Sequence, residues 1–207
     1  MSTQQNQVAG FSIPGFSNPI FDSTDVFRKV LSAMSRPGEI QTIKAPSAHP
    51  ESLNPTSSAI LLALADMETE VWLAPEMDSI EARNYLKFHT GCKVVEDPKD
   101  SKFAVVNTDT GIDVYNKLKV GSAEYPDRSA TVIMMVDDIS NDHDITLKGP
   151  GIKVSNTLKV EHVAQEFWYW FEENTRLFPC GVDVIFASAE QIAAVPRTIK
   201  VEHASCM

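Results

Sequence analysis

The chain has 207 residues and a mass of 22.9 kDa, with 43% hydrophobic and 22% charged residues, which suits one domain burying about 70% of its unfolded surface. A formal net charge of -10 and a pI near 4.9 argue against a nucleic-acid binder, which needs clustered Lys and Arg for phosphates, and no apolar run nears the roughly 20 residues that span a bilayer. Cys92, Cys180 and Cys206 are too few and too scattered for a disulfide framework, and the polar start lacks the cationic-then-apolar pattern of a secretion signal, so the expected compartment is the cytoplasm.

The stretch 1–18 is rich in Gln, Ser, Asn and Gly and reads as a loose leader docking late through Phe11, Ile13 and Phe16, with residues 1–15 its flexible part outside the domain. Asp22, three residues before Asp25, precedes Val26, Phe27, Val30, Leu31 and Met34 at helical spacing, which predicts a capped amphipathic helix over 23–35, stopped by Pro37-Gly38. A strand follows over 39–44, then a proline-containing loop over 45–55. Ile60, Leu61, Leu64 and Met67 mark a second helix starting at Ser57, apolar enough to lie under its neighbours. A short strand over 70–74 and a helix over 80–89 carrying Ile80, Tyr85, Leu86 and Phe88 come next, the helix ending at Thr90-Gly91.

Residues 103–106 predict a buried strand and 113–118 a short helix with Val114, Leu118 and Tyr115 facing inward. The β-branched run 130–136 predicts a central strand. After an acidic turn, a strand over 145–147 meets the sharp bend Gly149-Pro150-Gly151. A helix over 161–175 then places Val163, Phe167, Trp170 and Phe171 on one stripe, leaving Trp168 or Trp170 outside the core as an interface marker. Residues 182–187 read as a central strand covered on both faces, and 192–195 as its hairpin partner. Pairing 130–136 with 145–147 gives a second hairpin and a mixed sheet. The tail after Lys200 reads as disordered or as a sheet edge. Alternating strands and helices indicate an α/β layered sandwich, one domain over 16–202 with a tail over 203–207.

The candidate chemistry is sparse. Lys148-Gly149-Pro150-Gly151 has glycines but neither a Walker nor a dinucleotide spacing, and its proline removes a donor. His143, His203 and Cys206 do not make a zinc motif, so no metal is expected. His89, at a helix end, suits capping, with proton transfer as the alternative. Asp183, a carboxylate inside an apolar strand, needs a partner, and Arg197 at the end of the adjacent strand supplies one. A structural ion pair and an anion site at Arg197 both fit that pairing. Cys180 has no cationic neighbour in sequence that would activate a thiolate.

Six segments, in order, carry a resemblance: Phe27-Arg28-Lys29-Val30-Leu31-Ser32-Ala33-Met34-Ser35-Arg36-Pro37-Gly38, then Leu62-Ala63-Leu64-Ala65-Asp66 with Val71-Trp72-Leu73, and Phe88-His89-Thr90. They continue with Leu147-Lys148-Gly149-Pro150-Gly151-Ile152, Phe178-Pro179-Cys180-Gly181-Val182-Asp183 and Val195-Pro196-Arg197-Thr198. Together these resemble the PhnH family, a subunit family of the bacterial carbon-phosphorus lyase system, over about 16–202. The resemblance implies a three-layer α/β/α sandwich like a reduced, type I pyridoxal-phosphate-dependent transferase without the cofactor. It implies a homodimer when isolated and companion subunits in a complex that joins an alkylphosphonate to the ribose C1 of ATP, displacing adenine. It carries over no catalytic residue. Arg197, Asp183, His89, Lys148, Gly149 and Gly151 remain as candidate contacts to phosphonate or ATP.

Overall fold

The computed structural model describes residues 13–203; most of the expected leader, including Phe11, and the tail residues 204–207, including Cys206, lie outside the described residues. In chain order the elements begin with α1 (Pro19–Ser35), β1 (Gln41–Thr42), α2 (Pro55–Leu64), β2 (Glu70–Leu73), α3 (Ile80–Thr90), β3 (Lys93–Val95) and β4 (Phe103–Asn107). They continue with α4 (Ile112–Tyr115), β5 (Thr131–Met135), β6 (Ile139–Lys148), β7 (Asn156–Val160), α5 (Gln165–Thr175), β8 (Asp183–Ala187), β9 (Gln191–Val195) and β10 (Lys200–His203).

Seven strands form one mixed sheet in the order β1-β9-β8-β5-β4-β2-β3, and β10-β6-β7 form a separate antiparallel sheet. From β3 through β2, β4 and β5 to β8 every pairing is parallel, while β9 runs antiparallel to both β8 and β1. The chain reverses its direction of travel between β2 and β4, so the carboxyl ends of those strands flank the switch point at which open α/β sheets commonly hold ligands. Parallel strands are covered on both faces and therefore read as unbroken apolar runs. Val184, Phe186 and Ala187 of β8, and Val132 and Ile133 of β5, are accordingly 0% exposed. α1 packs on α2 and α2 on α3; α4 packs on α5.

The expected hairpin between 130–136 and 145–147 does not form. Thr131–Met135 lies between β4 and β8 in the large sheet, whereas Ile145 and Leu147 pair with Leu158 and Asn156 of β7 and with His203 and Val201 of β10. A buried parallel strand already has both edges occupied, so the chain leaves the large sheet after Val136 and builds β6 elsewhere. β3 and β7 were not anticipated: each is short and lacks a long apolar run. Of the tail from Lys200 on, the described residues, up to His203, form the edge strand β10.

Two helices differ from their expected faces. α1 starts at Pro19, not 23, because Asn18 is the N-cap and Pro19 takes the first turn. Val26, Val30 and Ala33 of α1 face the core, leaving Phe27 and Leu31 outside. In α5, Trp168 is 4% exposed and packs on Phe186 at 5.6 Å, and Trp170 lies half-buried 5.0 Å from the Tyr115 ring. Neither tryptophan stands free, and the exposed aromatic of that helix is Tyr169.

Asp22 anchors the start of α1. It accepts from the Asn18 backbone N–H at 2.9 Å and from Lys44 Nζ at 3.2 Å. These contacts, the backbone one first, hold its carboxyl below the usual 3.8. A depressed folded-state value contributes stability that is complete above the unfolded-state value and is lost as pH falls through the folded one. Asp22→Asn should therefore lower the urea midpoint at pH 7, and the gap to the unaltered protein should shrink as the pH is lowered through the folded-state value of Asp22.

Candidate functional site

The Phe178–Asp183 segment enters the large sheet through a chain of close contacts. Asn174, in the last turn of α5 and 3% exposed, accepts from Val182 N at 2.7 Å through Oδ1 and donates to Val182 O at 2.8 Å through Nδ2. Its amide thus stands in for a strand partner before β8 begins. Gly181 adopts φ 121°, and a Cβ there would lie 3.0 Å from Asn174 Oδ1 and 3.3 Å from Arg197 Cβ. Its N–H donates to Val120 O at 2.8 Å.

Asp183 opens β8 and completes the clasp. Its Oδ1 accepts from Arg197 N at 2.8 Å and Arg197 Nε at 3.0 Å, and its Oδ2 accepts from Arg197 Nη2. Arg197 also donates to Pro126 O at 3.0 Å and to Ser129 Oγ at 2.6 Å. The two side chains are only 13% and 15% exposed. The ion pair therefore joins β8, the turn after β9 and the 126–129 segment. Four donations to protein groups leave little of this guanidinium for an incoming anion.

The glycine turn after β6 is also built by close packing. Gly151 has φ 84°, and a Cβ there would fall 2.2 Å from Ser35 O; one at Gly149 would fall 2.8 Å from Ile199 Cδ1 and 3.0 Å from Thr198 O. Asn156 Nδ2 donates to Pro37 O at 2.7 Å alongside. The end of α1, the glycine turn and the turn after β9 are thereby drawn to one place. Lys148 points away from it, pairing with Glu202 at 2.7 Å on the surface, its side chain 47% exposed. That position does not suit the buried lysine a pyridoxal aldimine needs.

His89 lies apart from all of these, near the end of α3. Its Nε2 donates to Ile13 O at 2.8 Å, and its ring meets Tyr85 and Phe88 at centroid distances of 4.7 and 5.0 Å. It fastens the segment leading into α1 instead of capping its own helix, whose end is closed by Gly91 in the left-handed region. Among the expected contacts, Asp183 meets Arg197, and Gly149 and Gly151 belong to the neighbouring turn cluster; Lys148 and His89 stand outside.

Among the described residues, two concavities lie at opposite ends of the central strands of the large sheet. At the carboxyl ends of β4 and β5, a cavity of about 240 Å³ is lined by residues 108–112, Tyr115, Met134, Val163, Ala164, Glu166 and Phe167. Burial raises the Tyr115 phenol well above its usual range, which keeps it a neutral hydroxyl. With Asp109 and Glu166 in the lining and no Lys or Arg, this cavity disfavours an oxyanion. The second, about 270 Å³ and open, is lined by Lys119, Val120, Gly121, Ser122, Tyr125 and Arg128. It adjoins the clasp, because Val120, Pro126 and Ser129 are the groups that Gly181 and Arg197 hold.

Sequence reasoning paired Asp183 with Arg197 but missed Asn174, Ser129 and the 119–128 loop. A helical Asn carries no signal that it will bind a strand eight residues on. The loop has no periodicity, although its tight Tyr125-Pro126-Asp127-Arg128 run marks a turn. Among the described residues, no three His, Cys, Asp or Glu side chains converge as a metal would require.

Removing one member of a buried ion pair strands the other, at a cost of about 3–5 kcal/mol. Arg197→Ala and Asp183→Ala should each lower the urea unfolding free energy by about that amount. The double variant should lose clearly less than the sum, a coupling read from the four-way cycle. Asn174→Leu should cost roughly 2–4 kcal/mol by leaving the Val182 N–H and C=O without their partner.

A family model described as bacterial phosphonate metabolism protein (PhnH) matches residues 14–202. One relative, the alpha-D-ribose 1-methylphosphonate 5-triphosphate synthase subunit PhnH of Rhizobium meliloti (strain 1021), is 30% identical over 188 residues, covering 91% of this chain and 94% of the relative. A putative C-P lyase subunit protein HtxG of Stutzerimonas stutzeri is 27% identical over 173 residues, covering 83% of this chain and 82% of that one.

Proposed function

The chain belongs to the PhnH family of bacterial phosphonate metabolism proteins, and from that premise we propose that it serves as an accessory subunit of a carbon-phosphorus lyase assembly. The step it supports joins an alkylphosphonate to the ribose C1 of ATP with loss of adenine. On this reading the two helix groups are the outer layers of a three-layer α/β/α sandwich, a pyridoxal-transferase-like scaffold used without the cofactor. The chain works in the cytoplasm, pairs with itself when isolated and joins companion subunits in the complex.

The observation that carries this reading is the outer face of α1. Ile20, Phe21, Phe27 and Leu31 are 76%, 72%, 49% and 56% exposed. Ile20, Thr24, Phe27 and Leu31 follow the helical repeat along one stripe, with Arg28 exposed beside them. Isolated exposed apolar residues are ordinary, whereas a row of them mixed with arginine is the composition of a protein–protein interface. The motif residues add support from the other direction: Asp183, Arg197, Gly149, Gly151 and Gly181 are all engaged in holding the chain together.

Phe27→Asp combined with Leu31→Asp places charge on this face and leaves the core contacts of Val26 and Val30 in place. The variant should fold with a urea midpoint close to that of the unaltered protein, as surface substitutions usually shift stability by about 0.5 kcal/mol or less. It should then fail to co-purify with tagged companion subunits that retain the unaltered chain. Loss of co-purification by neither protein, or failure of the unaltered chain itself to co-purify, would overturn the reading.

A further inference from the structure

We propose that the open concavity formed by the 119–128 loop binds the tetrahedral oxyanion of a small molecule, a phosphonate or a nucleotide phosphate, with Lys119 and Arg128 as its cations. Naming those two ligand sources rests on the assembly reading above; the site itself rests on the loop's own geometry.

The loop is fixed at both ends. Ala130 N donates to Lys119 O at 2.8 Å, Gly181 N to Val120 O at 2.8 Å, and Arg197 holds Pro126 O and Ser129 Oγ. Between these anchors the chain folds back on itself. Ser122 N donates to Tyr125 O at 3.2 Å, Tyr125 N donates to Ser122 Oγ at 3.1 Å, and Gly121 takes φ 76° where a Cβ would meet Pro126 O at 2.9 Å. Loop positions held this way present their side chains in advance, which lowers the ordering cost of binding.

The charges point one way. In a chain with 28 acidic and 18 basic residues, the lining has two cations and no carboxylate. Glu124 and Asp127 belong to the same loop but are not part of that lining. Lys119 Nζ donates to the Asp100 carbonyl at 3.0 Å, and the Arg128 guanidinium lies 4.0 Å from the centre of the Tyr125 ring. Both cations are thus placed by groups that do not neutralise them, a ring face and a peptide oxygen. Arg128 keeps its planar fork for two oxygens, Lys119 supplies a point charge, and Ser122 Oγ has a proton to donate. Val120 and the Tyr125 ring give an apolar edge for a short alkyl group.

The isolated chain should be titrated calorimetrically with inorganic phosphate, methylphosphonate and ATP at low ionic strength. At least one should bind, and the affinity should fall as salt is added, a readout that needs no variant. Lys119→Ala with Arg128→Ala should weaken that binding about tenfold or more, Arg128→Lys should restore part of it, and Lys153→Ala, outside the lining, should leave it unchanged. Heat with ATP alone assigns the site to nucleotide phosphate; heat with methylphosphonate assigns it to phosphonate. No binding by any of the three, or equal binding by the double variant, overturns the proposal. Co-purification with companion subunits is scored separately, so a chain that assembles but binds nothing removes this site and leaves the assembly reading standing.

Discussion

The ion pair between Asp183 and Arg197 is the constraint on which one whole edge of this molecule depends. A carboxylate placed at the start of a central strand would be costly without a partner, and a guanidinium buried as deeply would be no better. Each offsets the other's desolvation, and the surplus donors of the arginine reach a carbonyl and a hydroxyl in a loop that contributes nothing to the sheet itself. One electrostatic contact thus fixes the entry of β8, the exit of β9 and the seating of the 119–128 loop. Asn174 and Gly181 serve the same junction, one by imitating a neighbouring strand and the other by having no side chain where three segments meet.

This arrangement separates two tasks. The later segments that carry the family resemblance, 147–152, 178–183 and 195–198, close turns, pair charges and bring glycine against backbone. The exposed groups are Phe27, Arg28 and Leu31 on the outer face of α1, themselves part of the first such segment, and the side chains of the loop that the clasp holds. A motif can therefore be diagnostic of a family and still make no contact with ligand.

Much of the fold was legible because buried strands and capped helices leave strong local patterns. The apolar run at 182–187 announced a central strand, and Asp183 within it announced a partner. Gly91 marked the end of α3 and is found in the left-handed conformation a C-terminal glycine commonly takes. What failed were statements about pairing between distant segments. The run 130–136 has the same composition whether its neighbour is the next strand or one fifty residues on, so the false hairpin with 145–147 could not be told from β5–β8 by periodicity. The faces of α1 failed for a related reason. Apolar residues surround so much of that helix that two stripes compete, and only the position of α2 and β9 decides which goes inside. Asn174, Lys119 and Arg128 escaped notice because a polar residue signals its role only once its surroundings are known.

The borders of the large sheet set a final condition on how copies or partners can be added. Its outermost strands are only two and three residues long, β1 and β3. Strands so short expose few free amides and carbonyls, and a visiting peptide would find little backbone to zip onto. Growth by adding one ribbon beside another is thereby discouraged at both ends of the sheet, which protects an apolar, β-branched interior from fibre formation. Contact across helical flanks, where side-chain shape and charge choose the neighbour, is the mode of association this layout favours.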